Sequence, residues 1–267
     1  MSAIVRNHVT VTGPESGRPM VFAHGFGCDQ TMWRHVAPAF AADHRVVLYD
    51  HVGAGGADAS AYDPEKYASL DGYADDLVEI LTELDLHDVV FVGHSVAAMI
   101  GVLAERRVPE RFSRLVLVGP SPRYIDDEGY RGGFSRADID ELLQSLESNY
   151  LGWSAAMAPA IIGNPERPQL GQELTASFCR MDPEIARRFA RATFLSDNRE
   201  DLAHVVTPTL VLQCSSDVIA PPEVGEFVAK TIPDSELVML RATGHCPHLS
   251  DPAETIDAIA AFIGSRS

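Results

Sequence analysis

The chain has 267 residues, 46% of them apolar and 22% charged, the proportions of an ordinary globular protein large enough for one big α/β domain or two small ones. Its 21 Lys and Arg stand against 38 Asp and Glu, a formal charge of −17. Such a surface repels phosphate backbones and anionic lipid, so neither nucleic acid nor a membrane is expected as a partner. No apolar run approaches the length of a membrane span, and residues 1–6 lack the core of a signal peptide, which makes the cytoplasm the expected compartment. Cys28, Cys179, Cys214 and Cys246 are scattered without C-x-x-C spacing and are expected to be reduced thiols.

From the N-terminus, residues 8–12 are rich in β-branched side chains and predict an antiparallel edge strand. Residues 20–23 form the next buried strand, ending in His24-Gly25-Phe26-Gly27. A helix is predicted from about Asp29, with Met32, Val36 and Phe40 along one face. Residues 45–49 are a further strand that runs into the glycine-rich stretch 50–56. This stretch has neither G-x-G-x-x-G spacing nor the lysine of a phosphate loop, so its role is structural. Between 70 and 86 the apolar positions Tyr73, Leu77, Ile80, Leu81 and Leu84 recur every three or four residues, the mark of an amphipathic helix lying on a sheet.

The next stretch organises the rest. Val89-Val90-Phe91-Val92 has no alternation, which is how a strand covered on both faces of a parallel sheet reads. It leads through Gly93-His94-Ser95-Val96-Ala97 into a helical pattern. That is close to the G-x-S-x-G elbow, in which a strained backbone exposes the serine above the sheet and the positions two before and two after it must be small. Residues 115–118 give another strand, and the alternation of strands and helices predicts right-handed parallel crossovers. From 121 to 202 the pattern is helical, with many aromatics and Met and with breakers at Gly132-Gly133, Pro165 and Pro168. This segment is expected to be a helical lid inserted between core segments 1–120 and 203–267. Strands resume at 209–213 and 236–240, and a last helix spans about 253–263.

A serine hydroxyl needs a base, and the base needs an orienting acid. In this topology they follow in the order Ser, acid, His, each just past a strand end. Ser95 is the candidate nucleophile, and Asp217, beyond strand 209–213, the candidate acid. Beyond strand 236–240 two histidines compete: His245, directly after Gly244, and His248, beyond Pro247. The tighter position favours His245. Asp251 rivals Asp217, but its place before Pro252 suits a helix cap. Backbone amides of Val96 and Phe26 are the candidate oxyanion donors, and Phe134, Trp153, Met157, Phe194, Val218 and Ile219 the candidate pocket wall. Nothing in the sequence implies a metal or an organic cofactor.

Three stretches, Gly93-His94-Ser95-Val96, His24-Gly25-Phe26-Gly27-Cys28-Asp29-Gln30 and Gly244-His245-Cys246-Pro247-His248, together resemble the α/β-hydrolase family. More narrowly they resemble its RsbQ subfamily, related to the plant strigolactone and karrikin receptors. Ala97 stands where these relatives usually carry Ser. The resemblance implies an α/β-hydrolase fold: a mostly parallel eight-stranded sheet, helices on both faces and a four-helix lid. It further implies a triad of Ser95, Asp217 and His245 and an apolar pocket for a small hydrophobic ligand. Two readings follow. One is a serine esterase acting on a small apolar ester, lactone or enol ether. The other is a sensor that binds or slowly hydrolyses its ligand and signals through a partner, which the RsbQ likeness makes a PAS-domain phosphatase. Carbon–carbon hydrolases and cofactor-free haloperoxidases keep the same three residues and stay open.

Overall fold

The computed structural model describes residues 1–264. Strand β4 will serve as the reference, with β1 (Thr10–Thr12), β2 (Arg18–Ala23), β3 (His44–Tyr49), β4 (Val89–His94), β5 (Phe112–Val118), β6 (Thr209–Ser216) and β7 (Ser235–Thr243) numbered along the chain. Every residue of β4 is buried. Its odd positions, Val89 and Phe91, face one core cluster together with Leu77 of α2 (Leu70–Glu83) and Met99 of α3 (Val96–Arg107). Its even positions, Val90 and Val92, face a second cluster with Trp33 and Phe40. The period-2 alternation of the strand therefore sends side chains into two cores, which is why its sequence shows no polar face.

The sheet runs in the order β1-β3-β2-β4-β5-β6-β7, and all of its pairs are parallel except β1 with β3. Seven strands are found among the described residues, one fewer than the eight expected. Ahead of β1 the chain coils into the single turn α1 (Ala3–Arg6), whose Ala3 amide donates to Glu83 Oε2 at 2.7 Å. The helix expected from Asp29 is also corrected. Two 3-10 turns, Gln30–Trp33 and Ala37–Phe40, take its place. Pro38 explains the break, because in a continuous helix it would lack an amide and press its ring on the carbonyl four residues back.

Between β5 and β6 the chain forms α4 (Arg136–Ser148), α5 (Tyr150–Ile162), α6 (Pro168–Phe178) and α7 (Pro183–Phe194). Their ends are set locally. Ser135 and Asp138 make a reciprocal capping box, Pro168 opens α6, Asp182 caps α7, and Gly163 closes α5 in the left-handed conformation. After them come α8 (Arg199–Leu202), α9 (Pro222–Thr231), α10 (Pro247–Ser250) and α11 (Pro252–Gly264). The sequence reading had no counterpart for α9, which packs Val228 into the first cluster; α11 covers the second with Ile259 and Phe262. The glycine-rich stretch after β3 is tied down by Asp50, whose carboxylate accepts the amides of Gln30 and Gly56, both at 2.8 Å. No helix among the described residues is long and apolar enough to cross a membrane.

Candidate active site

Ser95 stands between β4 and α3 with φ 57° and ψ −125°. A non-glycine residue in that region costs on the order of 1–3 kcal/mol and persists only where its surroundings hold it. Here they do. The Ser95 amide donates to the carbonyl of Val118 at 2.8 Å, and a Cβ on Gly93 would stand 2.7 Å from the Ala97 carbonyl oxygen, so the turn closes only over glycine. The loop after β2 comes as near: a Cβ on Gly25 would lie 2.7 Å from His94 Nδ1 and 3.2 Å from Ser95 Cβ. That approach sets Phe26 beside Ser95. Val96, for its part, opens α3, where first-turn amides have no acceptor within the helix.

His245 lies between β7 and α10, and its Nε2 is 2.7 Å from Ser95 Oγ while its Nδ1 is 2.7 Å from Asp217 Oδ2. Asp217 follows β6, and its other oxygen accepts the amides of Ile219 at 2.8 Å and Ala220 at 3.1 Å. An ionised carboxylate only accepts, so Nδ1 carries the proton and the Nε2 lone pair faces the serine hydroxyl. All three side chains are buried. The loop is placed by Gly244 (φ 83°), on which a Cβ would fall 1.8 Å from the Ile162 carbonyl oxygen, and by the His245 amide, which donates to the Ile161 carbonyl at 2.8 Å. His245 is thus docked on the end of α5.

The two competing residues sit elsewhere. Asp251 accepts the Glu254 amide at 3.1 Å and so caps α11. His248 is buried with neither ring nitrogen paired, its ring 4.7 Å from Trp33 and 4.4 Å from His94. His94 Nε2 lies 2.7 Å from the His245 carbonyl oxygen, so it carries the hydrogen and leaves Nδ1 bare. Burial depresses both rings, His248 to about 3, and raises the Cys246 thiol. His94, Cys246 and His248 bring ligand-type atoms within 4.8 Å of one another, the group among the described residues that comes nearest to a metal-binding set. At ordinary pH both rings are neutral and the thiol is protonated.

Above the strand ends a narrow cavity lies under the four helices. Trp153, Met157, Phe194 and Ile219 line it, and so does Phe26, whose ring centroid is 5.5–6.2 Å from those of Phe189, Phe178, Phe194 and Trp153. Phe134 and Val218 do not. The chain around Phe134 is held by bonds to Tyr124 and Asp126 in a tight turn, and Val218 is 54% exposed because the next two amides turn inward to Asp217. Tyr124 and Phe178, from among the aromatics of the inserted segment, also line the cavity, as do Leu142 and Thr193, which sequence reasoning passed over. Tyr124 had a usable signal, since it lies just past the end of β5. Its hydroxyl is within hydrogen-bonding reach of the Ser95 side chain, and burial keeps the phenol protonated.

The sequence profile described as the alpha/beta hydrolase family matches residues 20–258. The chain is 39% identical over 257 residues to karrikin insensitive 2 receptor IA of Petunia hybrida, covering 96% of this chain and 94% of that one. It is 40% identical over 238 residues to the strigolactone esterase D14 of Arabidopsis thaliana, covering 89% of each. Among solved structures, the hydrolase olei00960 from Oleispira antarctica superposes with a TM-score of 0.96 at 39% identity, covering 99% of this chain and 97% of that one.

Proposed function

The chain belongs to the alpha/beta hydrolase family and is a hydrolase of that fold; from that premise we propose that it is a serine esterase for a small, neutral, hydrophobic ester, lactone or enol ether. The observation that carries this reading is His245 held 2.7 Å from both Ser95 Oγ and Asp217 Oδ2 on the floor of an apolar cavity. In the proposed reaction Ser95 Oγ attacks the acyl carbon while His245 Nε2 takes its proton. Asp217 holds the imidazole in the needed tautomer and faces the positive charge that develops on it. The amides of Phe26 and Val96 receive the oxyanion. With an ester or lactone, collapse breaks the acyl–oxygen bond, the alcohol or enol oxygen takes the proton from His245, and water, deprotonated by the same nitrogen, releases the acid from Ser95. Helices α4–α7 serve as the lid, residues 121–202, over a core formed by 1–120 and 203–267.

A second reading has one observation behind it: the petunia relative is named a receptor and matches over nearly the whole chain. In that reading the same residues bind or slowly cleave a ligand, and the altered helical surface recruits a protein. The RsbQ-like form of it has a PAS-domain phosphatase as the partner and rests on the sequence motifs alone.

The test is hydrolysis of p-nitrophenyl acetate by the wild type and Ser95→Ala, with intact mass taken during turnover. Steady release that disappears with the substitution, together with an acyl adduct on Ser95, is the expected result. A single burst followed by near silence moves the assignment to the sensor. Release that persists in Ser95→Ala sinks the acyl-enzyme mechanism.

A further inference from the structure

Among the described residues, the cavity wall contains no Lys, Arg, Asp or Glu. Three of its side chains nevertheless carry a buried polar atom with no hydrogen-bond partner: His94 Nδ1 at the end of β4 and, on the helices, Thr193 Oγ1 on α7 and Trp153 Nε1 on α5. Thr193 is 1% exposed and Trp153 5%. A buried donor left unpaired carries a desolvation penalty that folded proteins mostly avoid.

The threonine is the more telling of the two on the helices. A threonine inside a helix can satisfy its hydroxyl on the carbonyl four residues back. In this chain Thr82, Thr175, Thr231 and Thr255 all do so, donating to Val78, Gly171, Phe227 and Asp251 at 2.7, 2.9, 2.7 and 3.0 Å. Thr193 has the same option at Phe189 and leaves it unused. Its hydroxyl is therefore left without a partner on a residue of the cavity wall, as is the indole N–H of Trp153, whose ring is held by stacking on Tyr150 and Phe178.

We propose that Thr193 and Trp153 form a second polar subsite, borne by the helices and separate from the reacting groups on the strand ends, that takes a neutral acceptor oxygen of the ligand. The absence of a charged group from the wall excludes a carboxylate or ammonium there, since neither would find a counter-charge out of water. The substrate class is thereby narrowed from plain alkyl esters to esters or lactones that carry a further ketone, ether or hydroxyl oxygen remote from the bond that breaks. This narrowing rests on the esterase reading, but the existence of the subsite does not.

The test uses matched pairs in which a ketone oxygen replaces a methyl group of equal size: p-nitrophenyl esters with a 4-, 5- or 6-oxo acyl chain against their methyl-branched counterparts. Turnover is measured as the ratio of kcat/KM within each pair for the wild type, Thr193→Val and Trp153→Phe. Binding of the corresponding non-hydrolysable amides is measured on Ser95→Ala, with and without each second substitution, by thermal shift. At least one oxo compound is expected to be favoured about tenfold over its partner, with the preference falling toward unity in Thr193→Val or Trp153→Phe; tenfold is about 1.4 kcal/mol, the scale of one neutral hydrogen bond. Ratios that are the same with and without Thr193 and Trp153 overturn the subsite. Ester turnover independent of Ser95, combined with an intact binding preference, overturns the esterase reading and leaves the subsite standing.

Discussion

The strand ends and the four helices above them are built on opposite rules. At the strand ends, position is fixed by backbone: Ser95 by the hydrogen bond its amide donates to the Val118 carbonyl and by a glycine that nothing larger can replace, Asp217 by two amides, His245 by Gly244 and the carbonyl of Ile161. In the helices position is fixed by ring volume, with Phe178, Phe189, Phe194 and Trp153 gathered round Phe26 and polar atoms left unpaired among them. A backbone-set geometry has one solution, whereas a wall of side chains has many of similar energy. Changes at the strand ends should therefore be all-or-none, and changes in the helices graded.

Four experiments press on that contrast. The largest effect belongs to Ser95→Ala, expected to lower kcat/KM for an activated ester by about 10⁴-fold or more with little change in thermal stability; a loss of only a few-fold would remove the strand ends from the chemistry. Gly244→Val comes next. It puts a branched side chain where φ is 83° and the Ile162 carbonyl is in the way, so a loss of about 4 kcal/mol is expected in denaturant unfolding, and an unchanged midpoint would show that the loop yields.

Acid is the third. Burial depresses His24, His51, His94 and His248 in the folded chain, His248 to about 3. Unfolded histidines take up protons near 6.5, so the stability from keeping these rings neutral is complete above that pH. It is lost as pH falls toward the folded values, by about 1 kcal/mol per pH unit for each ring. Unfolding measured between pH 6 and pH 4 should show this slope, and His248→Gln should flatten it; an equal slope would mean the ring is protonated in place. The smallest effect is expected from Phe178→Leu in the cavity wall, about 1 kcal/mol of stability with a shift in preference toward bulkier acyl chains. An all-or-none loss there would erase the distinction between the two regions.

The same contrast explains what could be read from the sequence. The order of strands, the elbow and the residues beyond β6 and β7 were legible because apolar runs, small residues and chain order constrain them directly. The break at Pro38 was legible too, and the apolar spacing of Met32, Val36 and Phe40 concealed it. The eighth strand came with the family likeness, and the described residues form a sheet of seven. Within the wall, Val218 looked apolar enough to line a cavity, but its direction is set by where two neighbouring amides point, which no local pattern encodes. Thr193 was missed for the same reason, since a threonine in a helix declares nothing about its rotamer.

The hydrogen bond from the His245 amide to the Ile161 carbonyl bears on how such proteins can be recombined. A helical segment borrowed from another protein could match the cavity's shape and still silence the enzyme. To preserve the place of His245 it would have to end its second helix with a carbonyl at the same point and leave Gly244 uncovered. These helices are a bearing for the histidine as much as a cover for the cavity, and transplanting them moves His245 and all that it touches.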